Sequence, residues 1–363
     1  MFVLGASDLR YGDCARMNAR RHEPSILAVD WGTSSLRAYM LGQAGRVLGE
    51  LTLPMGTMPL QKLANATGTN IATAFEAVFE EVCDNWVLSD PSAPIVACGM
   101  VGSALGWCEA PYLDIPFDIS SLGKHLIQLR TRKGRLIHIV PGLIRRTGIV
   151  NVMRGEETQV LGVIGMHNSS NVRQQMLIGL PGTHSKWVLV NGNEVHDFET
   201  FMTGEVYAAL CEHTLLGCTM KQSTELNSEA FDRGVRTARS PDGALGILSN
   251  IFSVRTLALT KELSPEDQAN YLSGLLIGHE IVALSNFLAK NAESTSPNRY
   301  RIVLAGQAFL CARYMRALIL SNYENVTVVD GATAYGLWQI GVQADLITTV
   351  PVRPRVDAEG RVQ

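Results

Sequence analysis

The sequence predicts an α/β fold made of two similar units, each opening with a meander of three strands. The chain has 363 residues, which suits two domains of comparable size. Short apolar runs alternate with turns of small polar residues and with segments of helical periodicity. The order strand, turn, strand, turn, strand, followed by helices and further strands, occurs twice. Two such units facing each other would leave a cleft between their hydroxyl-rich turns, where a polyphosphate could bind.

The first unit is predicted to contain a meander, a helix and two further strands. The helix covers Ile71–Trp86, because its apolar residues recur at a spacing that puts them on one face. The predicted strands are Ile26–Asp30, Leu36–Leu41, Val47–Leu53, Ile95–Cys98 and Leu136–Val140.

The second unit follows a predicted helix at about Glu156–Met166 and repeats the meander. Asn191-Gly192-Asn193 has the chemistry of a hairpin turn. The predicted strands are Met176–Leu180, Trp187–Val190, Glu194–Phe198, Arg301–Leu304 and Val326–Val329. The predicted helices are Glu205–Leu216, Leu245–Leu257, Pro265–Lys290, Cys311–Leu320 and Ala332–Ile340.

Composition indicates a compact globular protein and argues against several kinds of partner. The chain is 46% hydrophobic and 18% charged, and its net charge of −3 does not favour nucleic acid. No uninterrupted apolar run approaches the roughly 18 residues of a membrane span, so a membrane partner is not expected. The seven scattered cysteines include no CxxC pair. They argue against a disulfide framework or a structural zinc site and favour a reducing cytoplasm.

The two ends of the chain are expected to lie outside the two lobes. Residues 1–23 carry four arginines but no apolar core of a secretory signal. We interpret them as a disordered N-terminal extension, with a transit peptide as the alternative. Lobe one is expected at 24–152, lobe two at 153–345 and a C-terminal tail at 346–363.

The common nucleotide-binding signatures GxxxxGK[ST], GxGxxG after a strand and DFG are absent. The turn Asp30-Trp31-Gly32-Thr33-Ser34, followed by Arg37, offers another way to hold ATP. Gly32 lets the backbone approach a phosphate, and the N–H and hydroxyl groups of Thr33 and Ser34 can cradle its oxygens. Asp30 can hold Mg²⁺ through water, and Arg37 adds a positive charge. The alternative is an ordinary hairpin capped by Asp30.

Three further kinds of segment are candidates for the same site. Gly182-Thr183 repeats the glycine–hydroxyl turn without an acid and is equally typical of an ordinary hairpin. Gly155-Glu156-Glu157 places two acids at a helix start, where carboxylates commonly complement the helix dipole. Gly306-Gln307 and Asp330 each follow a strand and precede a helix, which suits a slot for adenine.

In order and spacing these segments resemble the sugar-kinase branch of the actin-like ATPase superfamily. In that branch a DxGT[ST] turn grips phosphate and metal, and a G-[DE]-x helix start carries the catalytic base. A later GT turn meets the γ-phosphate, and a glycine-rich turn near the C-terminus holds adenosine. The matching segments here are Asp30–Ser34, Gly155-Glu156, Gly182-Thr183 and Gly306-Gln307. The resemblance implies a two-lobed actin-like (ribonuclease H-like) fold with ATP and substrate in the cleft between the lobes.

A more specific resemblance runs from about Ile26 to Gly341. The strings that carry it are Gly99–Ser103, Gly106-Trp107, Ala110–Leu113, Met153–Gln159, Pro181–Trp187 and Phe201–Glu205. They are similar to the 2-dehydro-3-deoxygalactonokinase family, whose members phosphorylate the terminal hydroxyl of a 2-keto-3-deoxy sugar acid in galactonate catabolism. One departure matters. Many sugar kinases have Asp where Glu156 stands, and Glu157 adjoins it, so the identity of the base stays open between these two acids.

The resemblance implies an ATP- and Mg²⁺-dependent kinase for the C6 hydroxyl of 2-dehydro-3-deoxy-D-galactonate. Glu156 would accept the hydroxyl proton and Asp30 would hold the metal. Arg154 or Lys186 would bind the substrate carboxylate, with a surface ion pair as the alternative for Arg154. The full set of expected substrate contacts is Met100, Val101, Gly102, Ser103, Trp107, Arg154 and Lys186; Met100 and Trp107 are equally interpretable as core residues.

Three other functions stay open at this point. The first is a kinase for another sugar acid or a ketose, because the sequence says little about hydroxyl stereochemistry. The second is a non-catalytic ATP-binding switch of the actin type, against which the acid at Glu156 argues. The third is a nucleotide-independent carbohydrate sensor. The expected partner is a small sugar acid, and a homodimer is one option for the assembly.

Overall fold

The structure is a computed structural model that describes residues 26–89, 92–167, 175–221, 226–291 and 300–348. The predicted N-terminal extension and positions 349–363 of the predicted tail lie outside the described residues. Within the described part, two six-stranded sheets and one three-stranded sheet combine with helices. The prediction of an α/β fold with two lobes is therefore confirmed.

The strands fall close to the positions predicted from the sequence, with several short additions. In chain order they are β1 (Ile26–Trp31), β2 (Leu36–Leu41), β3 (Val47–Leu53), β4 (Ile95–Gly99), β5 (Tyr112–Asp114), β6 (Phe117–Asp118), β7 (Ile127–Arg130), β8 (Leu136–Ile139), β9 (Gly142–Arg145), β10 (Asn151–Met153), β11 (Gln175–Leu180), β12 (Ser185–Asn191), β13 (Glu194–Phe201), β14 (Arg301–Ala305) and β15 (Val326–Val329).

The two large sheets share one plan. The first has the order β3-β2-β1-β4-β8-β7, in which β1, β2 and β3 form an antiparallel meander and β4 and β8 continue parallel to β1. The second has the order β15-β14-β11-β12-β13-β6, with the meander β11, β12, β13 and the parallel strands β14 and β15. The short strand β6, from the first half of the sequence, pairs with β13 at the edge of the second sheet. The sequence repeat is thus a structural repeat.

The helices confirm most of the predicted ones and add two. In chain order they are α1 (Thr57–Thr67), α2 (Ile71–Ser89), α3 (Glu156–His167), α4 (Thr203–His213), α5 (Ser228–Arg239), α6 (Ile247–Asn250), α7 (Ser253–Leu259), α8 (Gln268–Lys290), α9 (Ala308–Leu320) and α10 (Ala332–Gln343).

Local capping chemistry explains the helices that the apolar pattern did not predict. The side chain of Asn227 accepts hydrogen bonds from two N–H groups at the start of α5, a common N-cap. Gly68 ends α1 in the left-handed conformation, as glycine often does after a helix. The predicted helix Leu245–Leu257 is wrong in extent, because Gly246 has a φ of +86° and only two short helices, α6 and α7, follow it.

Helix α8 is long and apolar enough to cross a membrane by length and composition alone. However, 67% of its apolar window is buried inside the protein. Its buried residues pack against α5, α9 and the second sheet in two adjoining core clusters. Core packing therefore accounts for the apolar character of this helix.

Helices α3 and α10 join the two lobes. α3 contacts β11 and β14 of the second sheet, α10 contacts β1, β2 and β4 of the first, and the two helices pack on each other. Their buried residues belong to one continuous core cluster that includes residues of both large sheets. The interface between the lobes is therefore a helix–helix contact inside the hydrophobic core.

Two glycines let these helices approach backbone to backbone. A Cβ at Gly162 of α3 would lie 1.9 Å from the carbonyl oxygen of Ala332 in α10. A Cβ at Gly336 of α10 would lie 2.0 Å from the carbonyl oxygen of Thr158 in α3. Backbone atoms cannot rotate away as a side chain can, so any larger residue at either position would push the helices apart.

Gly162→Ala is expected to destabilise the protein by about 1–3 kcal/mol, the usual cost of overpacking a core, although alanine is the better helix former. Gly165→Ala is the matched control on the same helix. Its Cβ would meet side-chain atoms of Tyr335 and Gln339, at 2.8 and 3.3 Å, which can move. Urea unfolding measures both variants. Equal stability of Gly162→Ala and the unmodified chain would contradict the proposed tight crossing.

Candidate active site

The first edge of the site is formed where β1 and β4 end. These strands are parallel neighbours, and Trp31 pairs with Gly99, so their carboxyl ends lie side by side. Asp30 projects from the end of β1, and a Cβ at Gly99 would lie 3.4 Å from its Oδ1 atom. Arg37 of β2 is the cross-strand partner of Asp30. Asp30 and Arg37 thus meet next to the phosphate-binding turn predicted from the sequence.

The start of α1 holds the turn Gly32–Ser34 through hydrogen bonds to its carbonyl groups. The carbonyl groups of Gly32, Thr33 and Ser34 accept hydrogen bonds from the N–H groups of Thr57, Met58 and Gly56, respectively. In a trans peptide the N–H points opposite to the C=O, so the following N–H groups point away from α1. The side chains of Thr33 and Ser34 are exposed. This arrangement fits the phosphate cradle that the sequence predicted.

The second edge brings together three segments at the carboxyl ends of β11, β14 and β15. These strands are parallel neighbours, so the turns at Pro181–Thr183, Gly306-Gln307 and Asp330-Gly331 follow them at one sheet edge. A Cβ at Gly306 would lie 3.2 Å from the carbonyl oxygen of Pro181. No atom lies within 4 Å of a Cβ built at Gly182, and Thr183 is exposed. An open glycine–threonine turn therefore adjoins the predicted adenosine turn.

Glu156 connects the two edges. It is the first residue of α3, and its Oε1 atom pairs with Nζ of Lys186 at 3.0 Å. Its Oε2 atom accepts the N–H of Arg154 at 2.9 Å. A Cβ at Gly155, where φ is +105°, would lie 3.2 Å from the Cα atom of Gly99. These two glycines allow the start of α3 to contact the end of β4, beside Asp30.

The two adjacent acids differ in exposure. Glu156 keeps 24% of its side chain exposed, whereas Glu157 is 0% exposed. Of the two candidate bases, only Glu156 is therefore accessible from the cleft. The Oε2 atom of Glu157 accepts the N–H of Gly155 at 2.7 Å and its Oε1 accepts the hydroxyl of Thr158 at 3.2 Å. Successive residues of a helix point about 100° apart, so an exposed Glu156 places Glu157 against the core.

Burial raises the pKa of two of these carboxyl groups. The pKa of Asp30 rises to about 6, mainly through loss of hydration; Arg37 lowers it and the charge of Glu156 raises it. The pKa of Glu157 rises to about 7, again mainly through burial, with a further contribution from Glu156. The effect of Glu156 on both groups indicates that its charge lies close to each of them. Positive charge brought by a ligand would be favourable there.

Mg²⁺ bound together with nucleotide phosphates would fit this region. Among the described residues, no group of three or more His, Cys, Asp or Glu side chains forms a cage for a metal ion. Mg²⁺ usually keeps several waters and binds one or two carboxylates together with substrate phosphates. The single carboxylate of Asp30, at the edge of the phosphate cradle, suits that mode of binding.

The predicted substrate loop after β4 is partly core. Val101 is 0% exposed and packs inside lobe one, so a side-chain contact between Val101 and substrate is contradicted. The ring of Trp107 packs against Trp31, Phe75 and Phe79, and it supports the loop from inside. The apolar interior of the lobe attracts both side chains more strongly than a polar cleft would.

Other members of the predicted loop remain near the site. Met100 is partly exposed. Ser103 donates its hydroxyl to the carbonyl of Met100 at 2.8 Å, which closes the turn. A Cβ at Gly102 would lie 3.0 Å from Nη1 of Arg154. Gly102 therefore leaves room for a guanidinium group under the loop.

Arg154 is buried, with 8% of its surface exposed. Its Nη2 donates to the carbonyl oxygen of Ala110 at 2.8 Å, and its guanidinium lies 4.3 Å from the ring centre of Tyr112. Its Nε and Nη1 atoms are buried without a hydrogen-bond partner. The alternative of a surface ion pair is therefore wrong. Buried donors usually find an acceptor, so these two nitrogens favour an anionic ligand.

The start of α4 supports the turn Gly182-Thr183, and no site residue was predicted in this segment. Gly204 lies at the start of α4, where a Cβ would be 2.4 Å from the carbonyl oxygen of Gly182. The N–H of Glu205 donates to the carbonyl of Thr183 at 3.0 Å, and the Glu205 side chain pairs with His184. The sequence signals for this contact were a glycine beside a predicted helix start and the string Phe201–Glu205, which carries part of the family resemblance.

Comparison with known proteins agrees with this geometry. Residues 30–340 match the model of the family described as 2-keto-3-deoxy-galactonokinase. The 2-dehydro-3-deoxygalactonokinase of Escherichia coli (strain K12) is 34% identical over 320 residues, which covers 88% of this chain and 96% of that protein. A protein of Rhizobium meliloti (strain 1021), described as "Probable 2-dehydro-3-deoxygalactonokinase DgoK1", is 35% identical over 85% of this chain and 92% of its own length.

A solved structure from Sinorhizobium meliloti, which carries the same enzyme name provisionally, is also similar. It superposes with a TM-score of 0.72 at 32% identity, covering 87% of this chain and 98% of that chain. The family match over residues 30–340 spans the turns at the carboxyl edges of both large sheets. The chain therefore belongs to the 2-keto-3-deoxy-galactonokinase family.

Proposed function

We propose that this protein transfers the γ-phosphoryl group of ATP to the C6 hydroxyl of 2-dehydro-3-deoxy-D-galactonate, a reaction of galactonate catabolism. One observation carries the proposal. Glu156, a partly exposed acid at the start of α3, is held by Lys186 of β12 and lies close enough to Asp30 of β1 for its charge to raise the pKa of Asp30. Family membership supports the substrate, because the Escherichia coli relative is a 2-dehydro-3-deoxygalactonokinase.

Glu156 is proposed as the general base. Lys186 and the N–H of Arg154 each bind one oxygen of its carboxylate, and each oxygen retains a second lone pair. The carboxylate is therefore oriented and still able to accept the proton of the C6 hydroxyl as that oxygen bonds to phosphorus. The bond from phosphorus to the bridging oxygen breaks, and ADP leaves with that oxygen. Lys186, predicted as a substrate contact, is already paired with Glu156, so we assign it to orienting the base.

The nucleotide is proposed to bind between the two edges. Gly32, Thr33 and Ser34 would hold phosphate oxygens from lobe one, and Gly182 and Thr183 from lobe two. Gly306, Gln307 and Asp330 would contact adenosine, and Arg37 would add a positive charge. Mg²⁺ bound near Asp30 would neutralise charge on the phosphates. Phosphoryl transfer asks a protein mainly for such positioning and charge stabilisation.

The substrate carboxylate is proposed to bind Arg154. Nη2 already donates to the carbonyl of Ala110, whereas Nε and Nη1 lack partners among the described residues. Donors of this guanidinium group therefore remain for a charge-assisted hydrogen bond to a carboxylate. Met100, Gly102 and Ser103 would form the wall of this subsite. A neutral sugar would leave the guanidinium unpaired, which disfavours a ketose as substrate.

The non-catalytic switch is the less favoured function. Actin-type switching needs nucleotide and lobe movement but no acid directed at a second substrate. Burial of the Lys186 side chain in its pair with Glu156 is costly for a protein that does not use the carboxylate. The free state of the described cysteines, Cys98, Cys108, Cys211, Cys218 and Cys311, is compatible with the predicted cytoplasmic location. A homodimer stays a prediction.

Glu156→Gln is expected to lower kcat by roughly 10²–10⁴-fold, the usual contribution of a general base. The amide keeps the shape of the side chain, so affinity for a non-hydrolysable ATP analogue should change little. Coupled measurement of ADP release gives kcat, and calorimetry gives the affinity.

Glu157→Gln is the matched control. Its amide oxygen can still accept the N–H of Gly155, so a smaller loss of kcat is expected than for Glu156→Gln. If Glu157→Gln loses more activity than Glu156→Gln, Glu157 is the base. If neither variant loses activity, the proposed mechanism fails.

Arg154→Met is expected to reduce discrimination between the sugar acid and its C1 amide. We expect kcat/KM for the acid, divided by kcat/KM for the amide, to fall about 10–100-fold, since a hydrogen bond to a charged group contributes roughly 1.5–3 kcal/mol. Arg146→Met is the control, because Arg146 pairs with Asp114 on the surface. An unchanged ratio in Arg154→Met would show that the substrate carboxylate does not bind this arginine.

A further inference from the structure

Another buried carboxyl group lies in the core of lobe two, apart from the residues assigned above. Glu280 of α8 is 3% exposed. Its Oε1 accepts the indole N–H of Trp187 at 2.7 Å. Its Oε2 accepts the hydroxyl of Tyr314 at 2.7 Å and the hydroxyl of Thr203. Among the described residues, Lys and Arg side chains form no ion pair with it. Three hydrogen-bond donors therefore hold this buried carboxyl group without a balancing cation.

A buried carboxyl group of this kind lowers the stability of a core in which only packing is required. Burial raises the pKa of Glu280 to about 7, against the opposing effect of its three hydrogen bonds. An apolar residue of similar size in a core commonly gives equal or greater stability than a buried charge. Unlike an apolar side chain, the carboxyl group fixes the positions of its three donors, because each donor must lie where a lone pair points.

The three donors belong to three segments that reach the nucleotide edge. Thr203 is the first residue of α4, whose next two residues contact Gly182 and Thr183. Trp187 lies in β12 next to Lys186, and alternation along a strand directs these two side chains to opposite faces. Tyr314 lies in α9, which begins after the Gly306-Gln307 turn, and its hydroxyl also meets Ser185 of β12 at 2.8 Å.

We infer that Glu280 is a positioning residue for the second phosphate turn and that it acts through Thr203. The bond from Thr203 fixes the start of α4 relative to α8. The start of α4 fixes the turn, because Gly204 packs on the carbonyl of Gly182 and the N–H of Glu205 binds the carbonyl of Thr183. Without the Thr203 hydroxyl, the start of α4 would lose its hydrogen bond to α8. The turn that packs on the start of α4 would then be held less firmly in place. This inference rests on the proposed function, because it assumes that the turn binds ATP phosphates.

Thr203→Val tests the inference, since it removes one hydroxyl while nearly keeping the shape and leaves Glu280 with its other two donors. We expect KM for ATP to rise about tenfold and KM for the sugar acid to change less than twofold. Affinity for a non-hydrolysable ATP analogue, measured by calorimetry, should fall by the same factor as KM for ATP rises. Thr203→Ser restores the hydroxyl and should return both values to within about threefold of the unmodified protein.

The matched control is Ser285→Ala on the same helix. It removes the hydrogen bond between Ser285 and Tyr323, 3.0 Å long, farther along α8. It should leave KM for ATP unchanged. The inference is overturned if Thr203→Val leaves KM for ATP within twofold, if Ser285→Ala shifts it equally, or if Thr203→Ser fails to restore it. Absence of sugar-acid-dependent ADP release in the unmodified protein would overturn the proposed function instead, and calorimetry with the ATP analogue would still test Thr203.

Discussion

The crossing of α3 and α10 is the contact on which the rest of the molecule depends. Gly162 and Gly336 bring the two helix backbones together, and each helix packs on one of the two large sheets. Glu156 is the first residue of α3, and α10 starts directly after the Asp330-Gly331 turn. One packing contact therefore sets both the separation of the lobes and the direction of the acid that faces the cleft. Because interiors pack at near-crystalline density, small changes at this crossing would be transmitted to both edges of the site.

The electrostatics of the cleft follow from the same arrangement. The start of α3 brings Glu156 close to Asp30, while Glu157 is buried against the core. Lys186 balances the charge of Glu156, and Arg37 lies opposite Asp30. Burial nevertheless raises the pKa of Asp30 to about 6, so this carboxylate is incompletely compensated by the protein. A site that is short of positive charge in this way is suited to a nucleotide that arrives with a divalent cation, and poorly suited to a nucleotide without one.

Much of the fold could be predicted from the sequence, because apolar runs and turn residues mark strands directly. Leu36–Leu41 and Val47–Leu53 have the bounds that were predicted. The positions of the turns Gly32–Ser34 and Gly182-Thr183 follow from their glycines and hydroxyls. Side-chain direction could not be predicted in the same way. Glu156 and Glu157 are neighbours of one type, and only the packing of α3 on α10 decides which is buried. Val101 belongs to a string that resembles a substrate loop, yet its side chain is a core residue. Long-range partners such as Glu280 and Thr203 were beyond any local pattern.

The most direct test of the central claim is ³¹P nuclear magnetic resonance of a reaction containing MgATP and 2-dehydro-3-deoxy-D-galactonate. If the cleft presents the terminal hydroxyl to the γ-phosphate, a phosphomonoester signal should appear in step with ADP. It should be split into a triplet by the two hydrogens on C6. Formation of ADP without a phosphomonoester would mean hydrolysis by water. A doublet would place the phosphate on a secondary hydroxyl. Either result would contradict the assignment of Glu156 as the base that serves a C6 hydroxyl.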